Sequence, residues 1–172
     1  MSRPKSLIRI ILEPLLVALV LAMAVRTVVT IYSVPSESMA PALQPGDRIV
    51  VTRFPGDRPE RGDVIVFRHP FDPHRFSVKR VIGVPGDLVE SAGGRVRIRG
   101  RSLPQAYGAL PQGAEISPQL VPEGHLFVLG DNHAHSYDSR HWGPLPSGLV
   151  AGRARIILWQ RHSTGRIFKW VE

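Results

Sequence analysis

Phe76-Ser77-Val78-Lys79-Arg80-Val81-Ile82-Gly83-Val84-Pro85-Gly86-Asp87 reads as a β-strand that runs into a turn. Apolar and polar side chains alternate from Phe76, which is the period of a pleated strand. Pro85-Gly86-Asp87 then stops it. Shorter runs of the same kind flank it. Arg48–Thr52 and Asp63–Arg68 come before, and residues 88–103 follow, with turns at Gly93-Gly94 and Arg99-Gly100. Residues 121–129 and 154–159 complete the set. Strands this short, with turns between them, predict a mostly β body. Gly and Pro number 16 each, which supplies the turns and argues against a helical bundle.

Two stretches resist this reading. Residues 104–119 carry little pattern and are predicted to be a long, mobile surface loop. The tail from Gln160 to Glu172 holds Ile167, Phe168 and Trp170, suited to docking on the body or to a membrane interface.

The chain of 172 residues is long enough for one domain with a real core. It contains no cysteine, so disulfides and thiol catalysis are excluded. The net charge of +8 is spread over scattered arginines, without a dense run or a nucleic-acid motif. No nucleic acid is expected as a partner; a lipid-facing surface accounts more simply for the charge, and a plain solvated surface more simply still.

The N-terminus differs in kind. Arg3, Lys5 and Arg9 precede an apolar region interrupted by Glu13 and Arg26. Taken from Leu7 to Ile31 it would be about 37 Å long as a helix, enough to cross a bilayer. Arg9 and Glu13 are spaced to pair, and Arg26 can snorkel to the far interface. The reading adopted is a cytoplasmic tip and transmembrane anchor over residues 1–32, with a body of residues 33–172 on the outer side. A buried helix and a cleavable signal peptide ending near Ala22-Met23-Ala24 are the alternatives.

Just after this segment comes Val34-Pro35-Ser36-Glu37-Ser38-Met39-Ala40-Pro41-Ala42-Leu43. Ser38 is a candidate nucleophile and Lys79 its candidate base. A serine hydroxyl needs its proton removed, and a lysine can remove it only when burial keeps the amine neutral. Ser36, two residues earlier, would share a side with Ser38 in an extended segment, where its hydroxyl could join a backbone N–H in holding an oxyanion.

Three stretches together resemble the type I signal peptidases, also called leader peptidases. Residues 36–43 are similar to the family's serine box, residues 78–87 to its lysine box, and Gly130-Asp131-Asn132 through Ser136, Asp138, Ser139, Arg140, Trp142 and Gly143 to its third box. The resemblance covers about Val25 to Ile157 and implies an antiparallel, barrel-like peptidase body with an extended apolar groove beside the membrane. It implies a Ser38/Lys79 dyad, an oxyanion hole from the Ser38 N–H and Ser36, and Ser136 hydrogen-bonded to the Lys79 amine. Asp138 and Arg140 would support them as an ion pair, with Arg80 nearby, and Met39 would help line the pocket for small side chains. The implied substrates are the signal peptides of preproteins, cut at the cytoplasmic membrane without metal or cofactor.

His133-Ala134-His135 and Ala42 depart from the family pattern. The histidines raise two rivals: a metal site of His133, His135 and His141 with Asp131 or Asp138, and a Ser-His-Asp arrangement serving Ser38. Spacings of two and six residues do not match the common zinc signatures. A self-cleaving regulator would use the same pair but lacks support from the N-terminal segment. A catalytically silent, tethered β module that binds peptides is the alternative from another class.

Overall fold

The computed structural model describes residues 7–53, 56, 58–104, 110–111, 113–159 and 169–171. Helix α1 spans Leu7–Val28. The strands follow as β1 (Val29–Ser33), β2 (Arg48–Thr52), β3 (Val64–His69), β4 (Asp72–Gly83), β5 (Leu88–Ala92), β6 (Arg95–Ile98), β7 (Arg101–Ser102), β8 (Gln119–Leu120), β9 (His125–Leu129), β10 (Leu145–Pro146), β11 (Val150–Trp159) and β12 (Lys169–Trp170). One turn of helix, α2 (Ser139–Trp142), lies between β9 and β10.

Every strand pairing is antiparallel. The main sheet runs β1-β2-β11-β3-β4-β9-β10, with β12 added beside β11. A smaller sheet runs β7-β6-β5-β8. Its hairpins turn at Gly93-Gly94 and Arg99-Gly100, where both residues of each pair have positive φ. Such turns match the twist of the strands they join.

The core follows from strand alternation. On one side, Val64, Val66 and Val78 pack with Ile49, Val51, Met39 and Leu43. On the other, Ile65, Phe67 and Val81 pack with Leu126, Val128 and Leu145. A third cluster, including Ile82, Val89, Val96 and Phe127, seats the small sheet. At a fully buried position a Val or Phe contributes roughly 1.5–3 kcal/mol, so these layers carry the fold.

Three expectations change. Helix α1 ends at Val28, three residues short of Ile31, where the helix was expected to end. The following Val29-Thr30-Ile31 is β-branched throughout and pairs with β2 from Val29↔Thr52 to Ser33↔Arg48. Strand pairing with β2 therefore prevails over continued helix. The strand read from Phe76 begins earlier: β4 starts at Asp72, after a tight turn from β3. Within residues 104–119, the described part is woven into the small sheet: Ile116 is buried, and its N–H donates to Ser91 Oγ at 2.7 Å. Ile167 and Phe168 lie outside the described residues, while Trp170 is paired with Ile156.

From Ile10 to Val28, α1 has a mean hydropathy of 2.1 with none of that span buried against the body. Its 22 residues give about 33 Å of length. That is sufficient to cross a membrane.

Gly152 marks how closely β11 approaches β2. A Cβ there would sit 2.6 Å from the Thr52 carbonyl oxygen and 2.8 Å from Val51 Cγ1. Backbone cannot yield cheaply at that spacing. Gly152→Ala is expected to destabilise the full chain by about 1–3 kcal/mol, measured as a lower unfolding midpoint in detergent; an unchanged midpoint would contradict the close approach.

Candidate active site

The serine loop is closed at its base. Val34 N–H donates to the Asp47 carbonyl at 2.8 Å, and Gly46 N–H donates to the Val34 carbonyl at 2.9 Å. Met39 and Leu43 plug the loop into the core, each 0% exposed. Met39 therefore anchors Ser38 from beneath and does not line the cavity beside it, contrary to the sequence expectation. Its apolar side chain is better hidden under the loop than left in a groove. Residues Glu37–Met39 form a turn of 3-10 helix instead of an extended strand. Ser36 nonetheless meets Ser38, its Oγ donating to Ser38 Oγ at 3.1 Å.

Lys79 comes from β4. Its backbone partner is Ile65, and it shares a face with Ser77 and Val81. Lys79 Nζ lies 2.5 Å from Ser38 Oγ, although 41 residues separate them in sequence. Only 5% of Lys79 is exposed. Burial pushes its pKa down from 10.5 to about 8; Asp138 opposes this, and Arg75 and Arg140 assist. A neutral amine held against a serine hydroxyl is the arrangement that lysine-assisted nucleophilic attack requires.

The third box wraps behind the pair. Asp138 is fully buried and collects hydrogen bonds from Arg140 Nε at 2.8 Å, Arg140 Nη2 at 2.9 Å, Ser136 Oγ at 2.6 Å and Gly130 N–H at 3.1 Å. Burial alone would raise its pKa, but these donors and the Arg140 charge bring it below the ordinary value. The same carboxylate accepts from Arg140 N–H at 3.3 Å and so caps α2. Arg140 reaches further, donating to the His133 and Ser136 carbonyls at 2.8 and 3.1 Å. Ser136 gives its hydroxyl proton to Asp138, and no hydrogen bond between Ser136 and Lys79 occurs among the described residues. The charged carboxylate is the stronger acceptor.

Arg80 points away from Lys79. It grips Asp131 through two bonds of 2.8 and 2.7 Å and donates to the Gly62 carbonyl at 2.8 Å. That pair joins β4 to the loop after β9. Its partner Asp131 was weighed above only as a metal ligand, and the alternation of β4, which places Lys79 and Arg80 on opposite faces, was the signal for it.

Two roles escaped sequence reading. Asn132 N–H donates to the Ser38 carbonyl at 3.0 Å. Gly130 permits this contact, since a Cβ there would come 2.3 Å from that same carbonyl oxygen and 2.4 Å from Ser136 Oγ. The motif Gly130-Asp131-Asn132 was visible, but its use as a clamp on the serine loop was not.

The histidines disperse. His135 Nδ1 lies 3.3 Å from Asn132 Oδ1, and His141 Nδ1 accepts the Asp138 N–H at 3.3 Å. His133 is buried in the turn His133–His135. Among the described residues no group of three His, Cys, Asp or Glu converges. His69, which sequence reading passed over, stacks on Tyr137 at 6.4 Å. It lines a cavity of about 290 Å³ together with Ser38, Lys79, Val34, Val78 and His135.

A site with a serine, a buried lysine and a braced carboxylate defines a serine hydrolase geometry. Residues 7–159 match the family described as "Signal peptidase, peptidase S26", and the chain belongs to that family. It is a serine endopeptidase. Signal peptidase I of Leptolyngbya laminosa is 38% identical over 161 residues, covering 87% of this chain and 79% of the relative. Mitochondrial inner membrane protease subunit 2 of Schizosaccharomyces pombe is 32% identical over 154 residues, covering 86% and 74%. A solved signal peptidase I from Enterococcus faecalis V583 is 32% identical with a TM-score of 0.49, covering 56% of this chain and 97% of its own.

The depressed lysine pKa makes the stability of the fold depend on pH. Below about pH 8 both folded and unfolded chains carry the proton, and the fold bears the full desolvation cost, about 3 kcal/mol. That cost fades as pH rises from 8 towards 10.5 and is gone well above it, where both states are neutral. Lys79→Met is expected to be folded, inactive and at least as stable as the parent at pH 7, with its advantage shrinking above pH 8. Denaturant melts at several pH values measure this. The parent's turnover should rise with pH through an apparent pKa near 8; a flat profile would argue against Lys79 as the base.

Proposed function

We propose that this protein cleaves signal peptides from exported preproteins, after small residues, with Ser38 and Lys79 as its catalytic dyad. The contact that carries the reading is the 2.5 Å approach of the buried Lys79 amine to Ser38 Oγ. Ser38 attacks the scissile carbonyl while Lys79 takes its proton. The tetrahedral intermediate collapses when Lys79 returns a proton to the leaving amine, and the acyl-enzyme is then hydrolysed by water that Lys79 deprotonates. The Ser38 N–H and the Ser36 hydroxyl hold the oxyanion. For Ser36 this means leaving Ser38 Oγ, a short rotation given their present 3.1 Å contact. Asp138, Arg140 and Ser136 position the loop behind Lys79, and Arg80 fixes β4 through Asp131. No cofactor takes part.

The peptide is read as an added strand. Strand β1 ends the main sheet, and β4 is paired with β9 only from Arg80 onward, so both present free backbone edges among the described residues. Tyr32 and Phe76 meet across the gap at 5.1 Å, and Val34 and Val78 follow two residues on, towards Ser38 and Lys79. Main-chain pairing on such edges accepts many sequences, while a narrow apolar pocket at the cut selects small side chains. Helix α1 holds the body at the membrane, with residues 1–6 inside and the catalytic body outside, as the basic N-terminus favours. The leader then reaches Ser38 from the helix end of the cleft.

Incubating the detergent-solubilised full chain with a preprotein is expected to yield a mature product, and Ser38→Ala should abolish it. Product formation that survives Ser38→Ala would refute the mechanism. Ser36→Ala is expected to lower turnover by about 10²–10³ while leaving the fold intact; wild-type turnover in that variant would remove Ser36 from the oxyanion hole.

A further inference from the structure

A second cavity, of about 340 Å³, opens where α1 meets the β body. We propose that it binds the anionic headgroup of a membrane phospholipid. The inference rests on the reading of α1 as a bilayer anchor, since that places the cavity at headgroup depth.

Its lining has two chemistries. Arg53 and Arg68 line it, with Thr30 beside them, while Val28, Phe76 and Leu149 supply apolar wall. No carboxylate lines it, and among the described residues neither Arg53 nor Arg68 makes an ion pair. Arg68 is held in place from one side, its guanidinium 5.9 Å from the centre of the Phe76 ring. Arg53 is tied to the helix end itself, its N–H donating to the Val28 carbonyl at 2.9 Å.

Two planar, permanently charged forks without acidic partners suit a phosphodiester oxygen pair. Apolar wall next to them suits the glycerol and first methylenes that follow the phosphate. Position completes the match. Val28 is the last residue of α1, so a headgroup lying beside the helix meets this cavity first. Cationic residues at that depth attract anionic lipid.

The test titrates the detergent-solubilised full chain with dihexanoylphosphatidylglycerol, dihexanoylphosphatidylcholine and inorganic phosphate, counting bound species by native mass spectrometry. One phosphatidylglycerol per chain is expected, bound about tenfold or more tightly than either other probe. Arg53→Gln with Arg68→Gln should erase that preference while leaving the unfolding midpoint and the cleavage of a short soluble peptide unchanged. Arg53→Lys with Arg68→Lys should keep part of it. Equal binding of the two lipids, or a preference that survives the glutamine pair, overturns the proposal. Inorganic phosphate bound as tightly as phosphatidylglycerol makes this a free-anion site and overturns the lipid assignment. A glutamine pair with intact lipid binding and a raised KM for a leader peptide assigns the cavity to the peptide instead. Resistance of the full chain to alkaline extraction from membranes tests the anchor separately, so its failure is told apart from failure of the site.

Discussion

A lysine amine must sit against a serine hydroxyl in surroundings dry enough to keep it neutral, and much of this structure serves that demand. Dryness comes from β4, which places Lys79 between apolar rows of the main sheet. Aim comes from the serine loop, which Met39 and Leu43 pin into the core so that Ser38 cannot drift. The two requirements conflict, because a site that expels water also expels charge. The resolution is spatial. The carboxylate that acts most strongly on the amine, Asp138, is bonded by Arg140, Ser136 and Gly130, and the Arg140 charge offsets part of its pull on Lys79. A bare carboxylate in that place would draw the proton back onto the lysine and silence it.

The ion pairs here act as geometry more than as stability. Arg80–Asp131 and Arg140–Asp138 are both nearly buried, where desolvation offsets much of the attraction. What they provide is register. Arg80 ties β4 to the loop after β9, and Asn132 in that loop holds the Ser38 carbonyl. Ser38 and Lys79, borne on separate elements, are thereby referenced to one another through a third.

Much of this was legible in the sequence, for definite reasons. Strands such as Arg48–Thr52 have a period of two that no helix shares, and β2 has those bounds. Ser38 and Lys79 stood out because each lies in a dense motif. What was not legible depended on partners distant in the chain. The end of α1 is decided by β2, which lies beyond a loop, so apolar character alone carried the helix too far. Ile116 is buried among residues of the small sheet and β9, such as Val89 and Phe127, which lie far from it in the chain. Met39 looked like a pocket residue because it adjoins Ser38, yet neighbours in sequence within a helical turn point in different directions. Ser136 was expected to hydrogen-bond the Lys79 amine, whereas its hydroxyl donates to Asp138, a carboxylate two residues away.

The open backbone edges of β1 and β4 also carry a hazard. An unpaired edge that can accept one extended peptide can accept another copy of itself. This protein limits the exposure. Strand β1 is five residues long, and Pro35 follows it closely, without an N–H to offer. On the opposite edge Pro73 lies within β4. Prolines at these places shorten the ladder any stray strand could form. The cleft can thus hold a peptide for one turnover yet is a poor template for growing sheet.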